Sequence, residues 1–102
     1  MAITTQYSPD GTELIIHIHG RFDFNLHQQF RDIIETFDGN VDRYIVDLKD
    51  SDYMDSAALG MLLLLLEKAD NEKERVKLIN PNNTTKKILE IANFNILFDI
   101  AV

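Results

Sequence analysis

The chain has 102 residues, of which 45% are hydrophobic and 26% are charged, and its formal net charge is −7. This length suits a single domain spanning residues 1–102 with one packed core, and it is small for an enzyme with a deep cleft. The acidic balance argues against binding nucleic acid or anionic lipid through a basic patch, and the absence of cysteine excludes disulfides, thiol catalysis and cysteine-ligated zinc.

The N-terminal residues predict a β-hairpin. Pro9-Asp10-Gly11-Thr12 is typical of a turn between two extended segments. The segment before it, Ile3 to Tyr7, is a weak strand. The segment after it, Glu13 to His19, alternates apolar and polar residues, which is the period of a half-buried strand. Gly20 to Phe24 is expected to leave that strand.

A helix and a short apolar strand are predicted next. Asn25 and Gln28 have the spacing of a capping box. Apolar residues then recur on one helical face from Leu26 to Phe37, and Gly39-Asn40 is expected to end the helix. Arg43 to Leu48 favours a central strand that is covered on both faces.

The remaining residues predict two further strand and helix units. A loop from Lys49 to Asp55 leads to a helix from Ala57 to about Asp70, and a strand follows at Val76 to Ile79. A third helix is centred on Ile88 to Ala92, and Ile96 to Val102 is a short last strand or helix. The order β-β-α-β-α-β-α-(β/α) predicts an α/β fold, in which a mixed sheet of about four to five strands packs against three to four helices.

Ser56 is the residue of most interest, because it stands where the acidic loop meets the apolar helix. Working sites in such sheets tend to lie beyond the carboxyl ends of strands, which is where this loop lies. Two interpretations remain open for the hydroxyl. Ser56 can cap the helix by accepting one of its free amide hydrogen bonds, or it can accept a phosphate.

Several segments resemble the STAS domain family (sulfate transporter and anti-sigma factor antagonist). They are Asp47-Leu48, the run Met54-Asp55-Ser56-Ala57-Ala58-Leu59-Gly60 before a leucine-rich helix, and Gly20-Arg21-Phe22-Asp23. The element order agrees as well, so the resemblance covers nearly the whole chain and implies a STAS-like sheet. In two places the chain departs from many regulatory members, which carry a second Ser or Thr at the position of Ala57 and a glycine at the position of Ala58.

The resemblance implies a phosphorylation-controlled binding module of the anti-sigma factor antagonist type. In the bacterial single-domain members, a serine kinase of the histidine-kinase ATPase fold phosphorylates the serine that follows the aspartate, and a metal-dependent serine phosphatase reverses this. The unphosphorylated form binds the kinase or another regulator, and the phosphate disrupts that binding. Ser56 would then be the phosphoacceptor in this chain. The alternative that the family offers is a constitutive adaptor subunit of a larger assembly, such as a lipid-transporting ABC complex.

A partner surface is expected around Ser56. Asp50, Asp52 and Asp55 lie within six residues of it, and we expect Asp23 and Asp47 near it in space. Leu59, Leu62, Leu63 and Leu66 share the helix face expected to pack on the sheet. Met61 and Leu64 project elsewhere, either under a neighbouring element or towards a partner. The residues predicted to bind a partner are Asp23, Asp52, Asp55, Ala57, Ala58, Met61 and Leu64.

Other chemistry is not expected. His17 and His19 share one side of a strand, but a zinc site needs a third ligand, so no metal or cofactor is predicted. No nucleophile is placed with its base, which argues against an enzyme. The N-terminus lacks the layout of a signal peptide, and the longest apolar run, 61–66, is too short to span a bilayer. We therefore expect a cytoplasmic protein without direct membrane insertion.

Overall fold

The computed structural model describes residues 2–37 and 41–101, which contain a five-stranded sheet. The sheet order is the chain order: β1 (Ile3–Tyr7), β2 (Glu13–Phe22), β3 (Arg43–Met54), β4 (Val76–Ile79) and β5 (Asp99–Ala101). β1 runs antiparallel to β2 across the predicted hairpin, and every other neighbouring pair is parallel. The predicted mixed sheet is confirmed.

The helices form the connections between the parallel strands. They are α1 (His27–Phe37), α2 (Ser56–Lys68), α3 (Asn83–Ile91) and the short α4 (Phe94–Leu97). Each crossover leads to the next strand in the same direction across the sheet. Because parallel crossovers are right-handed, this order places all of the connecting helices on one face.

The core lies between that face and the helices. Over the first six residues of β2 and of β3, buried residues alternate with half-buried ones, and towards the end of each strand some of the residues between the buried ones are exposed. The expectation that β3 is covered on both faces was therefore wrong, since Ile45 and Asp47 lie on the open face while Tyr44 and Val46 are buried. The largest buried side chains of the core include Phe22, Phe30, Tyr44, Phe98, Leu14, Ile16, Ile18, Ile34, Leu48, Met54, Met61 and Leu62.

β2 and β3 both run further than the sequence predicts. β2 continues through Gly20 to Phe22, and the predicted loop from Lys49 to Asp55 is strand as far as Met54. The pairing is kept by register shifts between His17 and His19 and again after Gly20, which has φ +78°. Glycine adopts this left-handed conformation without steric cost, so the paired strands accommodate the irregularity. Main-chain pairing thus overrides the polar composition of the second half of β3.

The helix boundaries also differ from the prediction. Asn25 and Gln28 do not form a capping box, because a 3₁₀ turn at Phe24–Leu26 precedes α1 and Gln28 instead donates to Asp32 at 2.9 Å. The predicted stop at Gly39-Asn40 lies outside the described residues. α2 begins one residue before the prediction, at Ser56, and ends at Lys68. The final segment contains both alternatives, α4 and then β5.

Candidate functional site

Ser56 is the first residue of α2, and its side chain is exposed. Asp55 holds the capping position, where its carboxylate oxygen Oδ1 accepts a hydrogen bond from the Ala58 amide at 2.9 Å. Interpreting Ser56 as the helix cap was therefore wrong. Asp and Ser are comparable capping residues, so their chemistry does not decide which one caps. Asp55 has the extended backbone conformation that a cap requires, and Ser56 is already the first helical residue. The Ser56 hydroxyl is not used to close the helix.

Asp55 also ties the start of α2 to the segment that leaves β2. Its Oδ2 accepts a hydrogen bond from the Phe24 amide at 3.3 Å, and its own amide donates to the Phe22 carbonyl at 3.3 Å. Asp23, the next carboxylate along that segment, accepts from the Asn25 amide at 3.0 Å and so caps the 3₁₀ turn. The structure therefore brings Asp23 and Asp55 together at the Ser56 end of α2.

Arg21 places a positive charge on the same edge of the site. Its guanidinium carbon lies 4.2 Å from the centre of the Tyr53 ring, and its Nε lies 3.5 Å from Asp23 Oδ2. The Arg21 side chain is 63% exposed, so solvent screens this ion pair. Arg21 is therefore a cation next to the acidic residues at the Ser56 end of α2, and the sequence analysis did not assign it to the site. The register that aligns Arg21 with Tyr53 was the missing information.

The other aspartates differ in their distance from Ser56. Asp52 is exposed on β3, two residues before the strand ends. Asp47 does not approach Ser56, because it lies seven residues before Met54 on the same strand, which corresponds to about 20 Å. Its carboxylate instead contacts His17 at 3.2 Å and Asn80 at 3.2 Å.

The buried face of α2 is not the one that the sequence predicts. Ala58, Met61, Leu62, Leu65 and Leu66 are buried, whereas Leu63 is 42% exposed and Leu59 is only partly buried. The expectation that Ala58 and Met61 present their side chains to a partner was wrong, because Ala58 is 0% and Met61 is 2% exposed. A helix that is apolar on nearly every side gives no periodic signal to identify its inner face.

A shallow apolar groove lies beside Ser56, between α2 and the 3₁₀ turn. Its volume is about 380 Å³, and it is lined by Phe24, His27, Ala57, Gly60, Met61 and Leu64. Met61 belongs to the buried core, Ala57 and Leu64 are half-buried, and Phe24 is 66% exposed with its ring stacked on His27 at 5.4 Å. Sequence reasoning missed Phe24. The alternation of Phe22 inward and Phe24 outward was the available signal.

The two histidines of β2 form ion pairs. His17 Nδ1 lies 3.2 Å from Asp47 and His19 Nδ1 lies 3.6 Å from Asp50, with the imidazole rings stacked at 6.3 Å. Over residues 2–37 and 41–101, His, Cys, Asp and Glu side chains form no group of three or more that could hold a metal ion. Within those same ranges, none of the helices has both the length and the apolar character needed to cross a bilayer.

Comparison with known proteins finds matches over nearly the whole chain. A family model described as "Mlab, STAS domain" matches residues 5–99. A STAS-domain-containing protein of Pseudomonas aeruginosa strain UCBPP-PA14 is 50% identical over 101 residues, which covers 99% of this chain and 100% of that protein.

Solved structures with the same fold include proteins named as anti-sigma factor antagonists. Unphosphorylated SpoIIAA aligns with a TM-score of 0.74 and 22% identity, covering 99% of this chain and 87% of its own. A putative anti-sigma factor antagonist of Thermotoga maritima aligns with a TM-score of 0.83 and 17% identity, covering 98% and 86%. The phosphorylated form of Bacillus SpoIIAA aligns with a TM-score of 0.74 and 23% identity, covering 99% and 92%. With the sheet order, the α2 start and the family match in agreement, the chain belongs to the STAS domain family.

Proposed function

We propose that this chain is a non-catalytic, phosphorylation-controlled binding module, in which Ser56 is the phosphoacceptor. The observation that carries the proposal is that Ser56 is exposed at the first position of α2 while Asp55 fills the capping role. A kinase can reach such a hydroxyl, and its modification removes no hydrogen bond on which α2 depends. The similarity in fold to phosphorylated and unphosphorylated SpoIIAA supports this choice.

Phosphorylation would change the charge of the site and leave the fold in place. A phosphate adds about −1.5 to −2 charges at neutral pH, and a helix N-terminus stabilises anions. The added charge would stand beside Asp23 and Asp55, in a chain that already carries −7. Docking would then have to remove water from a more highly charged surface, which opposes binding. Each ~1.4 kcal/mol of this cost weakens affinity about tenfold.

The groove beside Ser56 would supply the apolar part of the interface. Its lining includes the exposed Phe24 and the half-buried Ala57 and Leu64, and Gly60 is exposed in the same groove. An exposed aromatic ring beside a concave apolar surface is typical of an interface anchor. Asp23, Asp52 and Asp55 would form the polar rim, so a partner that surrounds an apolar side chain with neutral hydrogen-bond donors fits this surface.

The family resemblance supports the choice of partner class. The expected partners are a serine kinase or anti-sigma factor of the histidine-kinase ATPase fold and an opposing serine phosphatase, acting in the cytoplasm. The constitutive adaptor of a larger assembly is the competing function. It would use the same surface without modification of Ser56.

Mass spectrometry tests the phosphoacceptor assignment directly. The chain is incubated with its cognate kinase and ATP, and the modified residue is mapped. We expect the label on Ser56 and none on Ser51, which is 2% exposed. A Ser56→Ala chain should remain unlabelled. Label on another residue with Ser56 unmodified would refute the assignment.

Binding measurements then separate charge from size. Ser56→Asp should weaken partner binding by about tenfold or more, whereas Ser56→Ala should bind as the wild type does. Ser56→Asn is the matched control, since it has nearly the size of the aspartate and no charge. Equal binding by the Asp and Asn chains would contradict an electrostatic switch and favour the constitutive adaptor.

A further inference from the structure

β1 is an edge strand without the features that usually prevent edge pairing. The strand lies at one end of the sheet order, and β2 is its neighbour. Its residues, Ile3-Thr4-Thr5-Gln6-Tyr7, include no charge and no proline, and its pairing with β2 is regular at every position. Natural proteins commonly protect an open edge with lysine, proline or a bulge. Because β1 has none of these features, its open edge can accept another strand.

The backbone groups that face outward from β1 can be identified from its hydrogen bonds to β2. The Ala2 carbonyl accepts from the His19 amide at 2.8 Å, and the Ser8 amide donates to the Glu13 carbonyl at 2.9 Å. In an antiparallel pair, alternate residues direct both main-chain groups to the same side. The even-numbered residues of β1 therefore face β2, and Ile3, Thr5 and Tyr7 direct their N–H and C=O groups away from the sheet.

We propose that a second copy of this chain pairs with this edge, β1 against β1, around a two-fold axis at Thr5. Three outward-facing residues spaced by two make the edge self-complementary: Thr5 meets Thr5, and Ile3 of each copy meets Tyr7 of the other. Each of these pairs exchanges both of its main-chain hydrogen bonds. The two sheets would join into one continuous sheet, and the interface would be isologous, as in most homodimers.

The side chains on the helix-covered face agree with this arrangement. Ile3 is buried, while Tyr7 is 49% exposed and contacts the Phe37 ring edge-on at 5.7 Å. A groove of about 380 Å³ opens along β1, and its apolar lining comes from Ile3, Ile33 and Phe37. Pairing around Thr5 would place the Tyr7 ring of each copy against Ile3 of the other, at the mouth of this groove. Aromatic and β-branched residues form favourable cross-strand pairs.

A second copy suits this edge better than a charged partner does. The strand is neutral, so two copies can approach here although each carries −7 overall. The groove along this edge also shares no lining residue with the groove beside Ser56. Self-association and partner binding would therefore use separate surfaces.

Single cysteine substitutions test the proposed register, because the chain contains no cysteine of its own. In the proposed dimer the two Thr5 Cα atoms lie about 5.5 Å apart, within the range that a disulfide can bridge. Gln6→Cys is the matched control, since the two Gln6 Cα atoms would be about 8 Å apart, too far for a disulfide. Under mild oxidation, Thr5→Cys should form a covalent dimer and the more exposed Gln6→Cys should remain mainly monomeric. Equal crosslinking of both chains would overturn the proposal.

Sedimentation equilibrium of the unmodified chain gives the second measurement. We expect a reversible, concentration-dependent dimer, and a monomer at every concentration would overturn the proposal. Thr5→Pro removes an outward-facing N–H without disturbing a bond to β2, so it should raise the dimer dissociation constant by about tenfold or more. A dimer that Thr5→Pro leaves unchanged would place the contact elsewhere and refute the β1 edge. Ser56→Ala should dimerise as the wild type does, which keeps this test independent of the phosphorylation proposal.

Discussion

Replacing Asp55 with alanine tests the assignment of the α2 cap. The substitution removes the acceptor of the Ala58 amide at 2.9 Å and the acceptor of the Phe24 amide at 3.3 Å. Loss of an N-cap costs about 1 kcal/mol, and a further exposed hydrogen bond contributes about 0.5–1 kcal/mol. We therefore expect the free energy of unfolding to fall by about 1.5–2 kcal/mol. For a domain of this size, that corresponds to a decrease in Tm of about 10 °C.

Chemical denaturation followed by far-ultraviolet circular dichroism measures this difference. Asp52→Ala is the matched control, because it also removes one exposed acid from the same segment but leaves the cap in place, and it should change stability by less than about 0.5 kcal/mol. Ser56→Ala should be similarly mild. If Asp55→Ala cost no more than Asp52→Ala, or if Ser56→Ala cost as much as Asp55→Ala, the assignment of the cap would be refuted.

Substitutions test the core and a second cap, and a titration tests the hairpin turn. Leu62→Ala should cost about 2–5 kcal/mol because this side chain is 0% exposed, whereas Leu63→Ala, at a position 42% exposed, should cost about 1 kcal/mol or less; denaturation that ranks the pair the other way would contradict the observed face of α2. Asn82→Ala should cost about 1–2 kcal/mol, since the Asn82 side chain accepts from the Thr85 amide at 2.8 Å and caps α3; unchanged helix content and stability would argue against that cap. Hydrogen bonds within the turn lower the pKa of Asp10 below its ordinary 3.8, so its contribution to stability is present above pH 3.8 and is lost as the pH falls through the folded value; an NMR titration of this carboxyl with a midpoint at or above 3.8 would show that the turn does not stabilise the anion.

Local patterns were sufficient for much of the fold. The alternation from Glu13 to His19 identifies a half-buried strand, and Pro9-Asp10-Gly11-Thr12 identifies the turn before it, where Gly11 has φ +74°. The structure places both features as predicted, because a period of two and a turn-forming residue act through the nearest neighbours in the chain. The STAS resemblance rested on equally local runs of residues, and the family match agrees with it.

The start of α2 shows where local patterns are insufficient. Asp55 and Ser56 are both good capping residues, and nothing in their order decides which one caps. The structure decides it because Asp55 is also held by the amide of Phe24, a residue 31 positions earlier in the chain. The approach of Asp23 to Ser56 likewise depends on how far β2 and β3 continue as paired strands. The polar composition of these segments does not reveal that length.

The sequence by itself determined the order of the elements, the hairpin, and the presence of one hydroxyl at the start of an apolar helix. Only the tertiary structure decided which side of α2 faces the core, that Met61 is covered while Leu63 is exposed, and that Phe24 stands beside Ser56. The physical reason is that propensity and periodicity act over a few residues. Burial and the pairing of distant strands depend on which surfaces meet when the whole chain packs.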